Sequence, residues 1–166
     1  MLARLFLLLG LLTAAPAAAQ TADWAQYVDP TYGYRIELPV IGFRIVEPQS
    51  ADPVLRLEEE GGLGLIEVYG GPNTDGWTLA EFEQFLGQSE RVAEVTYRAG
   101  GESWLVLSGY YRREGFENES LIFYTKVMFS ADRQSFAAFE FSYPENERVR
   151  YDPMVERVED SFSGPR

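Results

Sequence analysis

Three consecutive runs, 103–111, 119–129 and 135–143, carry apolar residues at the period of two that marks a strand with one buried face. In the third run Ala137, Phe139, Phe141 and Tyr143 share a face, with Glu140 and Ser142 on the other. In the second, Leu121, Phe123, Val127 and Phe129 share a face, while Ile122, Tyr124 and Met128 keep the opposite one partly apolar. Gly115 and Asn118 punctuate the first gap, and Ala131-Asp132-Arg133 fills the second. The pattern predicts an antiparallel meander with one dry face and one half-dry face.

Upstream, Tyr27-Val28-Asp29 reads as a short strand, and Asp29-Pro30-Thr31-Tyr32-Gly33 as a turn. Tyr34, Ile36 and Leu38 then alternate with Arg35 and Glu37 until Pro39. Residues 41–46 are apolar without a clear period, and 47–53 read as a loop. A hairpin is expected from 54–59 and 63–69 across Glu60-Gly61-Gly62, with Gly70-Gly71-Pro72-Asn73 ending it. Thr78 and Glu81 have capping-box spacing, and Leu79, Phe82 and Leu86 follow at helical spacing, so a helix is expected over 79–89. Residues 92–98 form another strand. After Pro144 the charged link 145–150 can form a turn of helix, and Asp152 as N-cap and Pro153 at the first helical position then open a last helix. Its apolar stripe is Tyr151, Met154, Val155, Val158 and Phe162; Glu156, Arg157, Glu159 and Asp160 lie opposite. The elements add up to an α+β domain, an α/β/α sandwich on a largely antiparallel twisted sheet of about seven strands with two main helices.

The opening Tyr27-Val28-Asp29-Pro30-Thr31-Tyr32-Gly33-Tyr34-Arg35-Ile36-Glu37-Leu38-Pro39 resembles the first hairpin of the PsbP/DcrB-like proteins. The ending, Phe141-Ser142-Tyr143-Pro144 through Tyr151-Asp152-Pro153 to Ser161-Phe162, is similar to that family's last strand and closing helix. As topology the resemblance spans roughly residues 23 to 162; as motif it covers the two ends. It implies a non-catalytic α/β/α module that binds other proteins, and it carries no binding motif over to particular residues.

The N-terminus changes the expected compartment. Arg4, the apolar run 5–12 and Ala17-Ala18-Ala19 have the layout of a secretory signal peptide. Residues 1–19 are expected to be cleaved, leaving 20–166 as one globular domain in the periplasm or secreted, with no transmembrane helix in the mature chain. Cysteine and histidine are both absent. Disulfides, thiol catalysis, thiolate metal sites, Ser-His-Asp hydrolysis and imidazole-ligated metals are therefore excluded. The remaining domain is long enough to bury a core without disulfides. The formal net charge of −12 disfavours nucleic acid as a partner.

Candidate chemistry is thin. Glu58-Glu59-Glu60 reads as a solvated hairpin tip, since alternating strand residues do not converge on one ion. Lys126, the only lysine, could join Ser108 or Ser120 in a Ser-Lys dyad, although no nucleophile-elbow motif accompanies either serine. With 26 acidic residues, some carboxylate pair is inevitable and discriminates nothing. Trp104, Tyr110, Tyr111, Phe116 and Tyr124 could line a groove or simply pair across strands. Tyr110, Tyr111, Arg112, Arg113 and Phe116, at a strand end, form the interaction rim the sequence suggests. No catalytic residue, cofactor or metal ligand is assigned. The expected function is an exported accessory or protein-binding module whose partner is another extracytoplasmic protein. The alternatives are a small extracytoplasmic hydrolase using a carboxylate pair or Ser-Lys, or a binder of a small apolar ligand. The oligomeric state stays open.

Overall fold

The computed structural model describes residues 23–47, 54–112 and 120–166. β1 (Trp24–Val28) and β2 (Arg35–Pro39) pair as a separate two-stranded sheet. Their turn is held by Asp29, whose carboxylate accepts the Thr31 and Tyr32 N–H groups. Seven strands make the main sheet: β3 (Phe43–Val46), β4 (Leu55–Glu59), β5 (Leu65–Pro72), β6 (Val92–Gly100), β7 (Trp104–Tyr111), β8 (Leu121–Phe129) and β9 (Ser135–Pro144). Their order is β3-β4-β5-β9-β8-β7-β6, with every pairing antiparallel. After β5 the chain crosses one face through α1 (Leu79–Gly87) to the far edge. The meander then returns until β9 pairs with β5, which makes β9 the central strand. Its Glu140 and Ser142, expected on the wetter face, are buried for that reason.

The layers follow from strand alternation. One face presents Leu57, Ile66, Val68, Phe139, Phe141 and Tyr143, covered by α2 (Arg148–Ser161) and by Tyr34, Ile36 and Leu38. The other presents Leu105, Leu107, Phe123, Val127 and Ala138, against which Leu79, Phe82 and Leu86 of α1 pack. Two main helices therefore lie on opposite faces of a seven-stranded antiparallel sheet, and the additional hairpin β1–β2 shares a layer with α2.

Several boundaries differ from expectation. Residues 43–46 form strand β3, because pairing with β4 supplies the order their sequence period lacks. Gly70, Gly71 and Pro72 extend β5 instead of breaking it, since β9 pairs along their whole length. At Gly70 an added Cβ would lie 2.6 Å from the Tyr34 ring, so this strand residue must be small for the hairpin to pack. The capping box of α1 is present: the Thr78 hydroxyl accepts the Glu81 N–H at 3.3 Å, and the Glu81 carboxylate accepts the Thr78 N–H at 2.7 Å. α2 begins at Arg148, after a 3₁₀ turn over Glu145–Glu147, so Pro153 sits inside the helix and Asp152 is not its cap. Asp152 instead accepts bonds from Tyr143 and Arg148. The Val149 carbonyl that Pro153 cannot serve belongs to a residue 93% exposed, where water can take the bond.

Candidate functional site

α2 covers only part of its sheet face. Beside it, β6, β7 and β8 form the floor and outer rim of an open groove of about 320 Å³. Alternation sends Val106, Ser108 and Tyr110 of β7 and Ile122, Tyr124 and Lys126 of β8 to this face. Tyr97 of β6 sits opposite Ser108 and forms the outer rim, 53% exposed. The register between β6 and β7 shifts at Val95/Tyr97. Gly109 permits this, since a Cβ there would meet the Glu94 carbonyl at 1.9 Å. The helical wall carries Arg148, Asp152, Glu156 and Glu159, one stripe at near-four-residue spacing.

Hydrogen bonds tie wall to floor. The Tyr124 hydroxyl donates to Glu159, whose other oxygen accepts from Lys126 Nζ at 3.0 Å. Lys126 also lies over the Trp104 ring, 5.5 Å from its centroid. The Tyr143 hydroxyl donates to Asp152 Oδ1 at 3.0 Å, and Arg148 Nε donates to Oδ2 at 2.9 Å. At the end of the groove, the Tyr110 hydroxyl donates to Glu145 at 2.7 Å. Burial first, then the carboxylate bond, pushes the Tyr124 and Tyr143 phenols far above the ordinary tyrosine range. For Tyr110 the bond to Glu145 is the main cause of a rise. All three phenols therefore keep their protons at neutral pH.

Glu159, expected on the solvent face of the last helix, thus points into the groove and anchors Lys126 and Tyr124. The Ser-Lys pairing is not assembled among the described residues. The Ser108 hydroxyl donates to the Phe123 carbonyl at 2.7 Å, and Lys126 is engaged by Glu159. The three glutamates at the hairpin tip also separate. Glu58 pairs with Arg44 and Arg56 on one face, whereas Glu59 is buried on the other and accepts bonds from Tyr151, Arg150 and the Gly64 N–H. Only Glu60 is the solvated tip residue that the sequence suggested for all three.

The suggested rim divides across the sheet. Tyr110 lines the groove, while Tyr111 lies on the α1 face, stacked on Phe123 at 4.6 Å and bonded to Arg91. Arg112 donates to the Val92 carbonyl at the sheet edge. Arg113 and Phe116 lie outside the described residues. Sequence reasoning missed Tyr97, Glu156 and Glu159 as groove residues, because the register of β6 and the rotation of α2 decide which way they face. No group of His, Cys, Asp and Glu among the described residues is arranged to hold a metal ion.

Solved structures share this fold. Cyanobacterial PsbP (CyanoP) from Synechocystis sp. PCC 6803 matches with a TM-score of 0.59 at 18% identity, over 92% of this chain and 98% of its own. The Ran-binding protein Mog1p of Saccharomyces cerevisiae matches with a TM-score of 0.58 at 11% identity, over 84% of this chain and 94% of its own. LpqN of Mycobacterium tuberculosis, involved in cell envelope biogenesis, matches with a TM-score of 0.53 at 15% identity, over 86% and 91%. The resemblance read from the two ends of the chain therefore holds as fold: the protein has the PsbP-like α+β architecture. No protein-family model and no curated protein matches the sequence.

Proposed function

We propose that the protein is an exported, non-catalytic accessory module that binds another extracytoplasmic protein through the groove beside α2. The observation that carries this reading is the uncovered half of the sheet face, where Tyr97, Tyr110 and Tyr124 line one open concavity with a charged helical wall. Tyrosines that combine a large apolar ring with a polar tip are the usual anchors of protein interfaces. Two fold relatives support it through what their names state: Mog1p binds Ran, and LpqN takes part in envelope biogenesis. Export is supported by the signal-peptide layout of residues 1–19, which lie outside the described structure. Among the described residues no helix is long and apolar enough to cross a membrane. The engagement of Ser108 and Lys126 by other groups favours binding over hydrolysis.

The test has two parts. Mass spectrometry of protein recovered from the extracytoplasmic fraction should give Gln20 as the first residue; an intact Met1 in a membrane pellet contradicts export. Affinity capture from the same fraction should retain a protein that Tyr97→Ala and Tyr110→Ala baits lose. Turnover of an ester, peptide or glycoside that disappears in Lys126→Ala would instead establish a hydrolase.

A further inference from the structure

We propose that the groove receives the guanidinium of an arginine side chain presented by an extended segment of the partner; this rests on the reading of the groove as a protein-binding surface. Few side chains lining the groove have a hydrogen-bond donor to spare. The hydroxyls of Tyr110, Tyr124, Tyr143 and Ser108 each donate to a protein carboxylate or carbonyl. Each has spent its one proton, so it can offer an incoming group only lone pairs. A ligand seated there must bring donors, and arginine brings five N–H groups and no acceptor. Among the lining side chains, an anion or a carbonyl-rich ligand would find donors at the Tyr97 hydroxyl and at Arg148, whose Nε is already engaged by Asp152, and acceptors at the remaining hydroxyls and carboxylates.

Charge on the helical wall, three carboxylates against Arg148, also favours a cation. Asp152 and Glu159 have both oxygens occupied, by Tyr143 with Arg148 and by Tyr124 with Lys126. Glu156 lies between them on the same wall, is exposed, and has no ion pair among the described residues. It is the wall carboxylate with no bond of its own among the described residues, on a chain whose net charge of −12 already favours a basic segment.

The opposite rim offers an aromatic ring. Elsewhere in this layer cations sit over rings: Lys126 over Trp104 at 5.5 Å, Arg157 over Trp24 at 4.4 Å and Arg150 over Tyr151 at 4.8 Å. The half-exposed Tyr97 ring has no such cation among the described residues, and it lines the same groove as the helical wall. A planar guanidinium combines ring stacking with donation from its edge, so it suits a groove lined by both an aromatic ring and a carboxylate better than a lysine ammonium does.

The probes are N-acetyl-arginine amide and its neutral isostere N-acetyl-citrulline amide, titrated into the isotope-labelled protein and followed by amide NMR. Saturable shifts at Thr96, Tyr97, Gly109 and Glu156 with the arginine probe, and none with citrulline, support the inference. Glu156→Gln, which keeps the shape and removes the charge, should weaken binding about tenfold. Tyr97→Ala should also weaken it, and cooperative melts of both variants, with Glu156→Gln no lower than the parent, exclude misfolding. Equal response to both probes, no response, or full binding by Glu156→Gln overturns it. Partner capture separates the two readings. A partner held equally by Glu156→Gln but lost from Tyr110→Ala keeps the protein-binding reading and sinks the arginine. Arginine-specific shifts with no captured protein overturn the partner segment as occupant and sink the protein-binding reading with it.

Discussion

Glu59 is the last residue of β4, and its buried carboxylate is fully engaged. It accepts the Tyr151 hydroxyl, the Arg150 guanidinium and the Gly64 N–H, tying the β4–β5 turn to the first turns of α2. Its place in the core was readable in principle, because Leu55, Leu57 and Glu59 share a face; three adjacent glutamates beside two glycines disguised it as a tip. Burial alone would raise this carboxyl, but the bonds from Tyr151, Gly64 and Arg150 outweigh it and hold the group below the ordinary glutamate range. A depressed folded value means that the carboxylate stabilises the fold above the unfolded value near 4.5, and that this contribution is lost as pH falls through the folded value. Urea midpoints recorded from about pH 7 down to about pH 3 should therefore fall less steeply in Glu59→Gln than in the parent. Glu59→Ala should cost about 3 kcal/mol at neutral pH, since the Tyr151 hydroxyl and Gly64 N–H lose their acceptor in the interior. Glu58→Ala, which loses partly exposed ion pairs, should stay within about 1 kcal/mol. Equal midpoints for the two alanine variants would show that Glu59 does not latch the helix.

α2 shows how far periodicity carries at the scale of an element. The stripe Tyr151, Met154, Val155, Val158 and Phe162 sets its buried face, and all but the half-buried Met154 are indeed buried. The sequence offered a turn of helix over 145–150 and a separate start at Asp152-Pro153, because Asp-Pro also fits an N-terminus; the structure joins them, with a 3₁₀ turn over Glu145–Glu147 leading into one helix from Arg148. Phe162, just past the last helical residue, meets Phe139 edge-to-face at 5.2 Å, and the two carry the docking onto β9. Phe162→Ala should cost about 3–5 kcal/mol, as for other buried aromatic truncations. The appropriate comparison is Asp160→Ala on the exposed face, where a surface change should stay within about 0.5 kcal/mol. Glu159 is unsuitable, since its removal would strip Lys126 and Tyr124 of their acceptor. Thermal melts in which Phe162→Ala equals Asp160→Ala would show that α2 does not depend on this contact. The same limit explains the groove: strand alternation announced an apolar face on β8, but only the pairing of β6 with β7 places Tyr97 over it.

For the molecule as a whole, the net charge of −12 and the ion pairs on the surface make opposite demands on salt. The pairs are short: Arg157 with Glu37 at 2.9 Å, Arg56 with Glu67 at 3.0 Å, Lys126 with Glu159 at 3.0 Å. Charges this close lie well inside the Debye length of about 10 Å at 0.1 M, so moderate salt weakens them only in part. The excess of acidic groups repels over longer distances across the domain, and that repulsion is what salt screens first. Exposed pairs are also worth little individually, at roughly 0–1 kcal/mol. The balance therefore favours screening: the melting temperature should rise as sodium chloride increases from about 10 mM to about 150 mM. Glu156→Gln should melt slightly higher than the parent at the low end and converge with it at the high end, because it removes one of the repelling charges without breaking a bond among the described residues. A melting temperature that falls over the same range would mean that the ion-pair network, and not the excess charge, dominates the electrostatics of the fold.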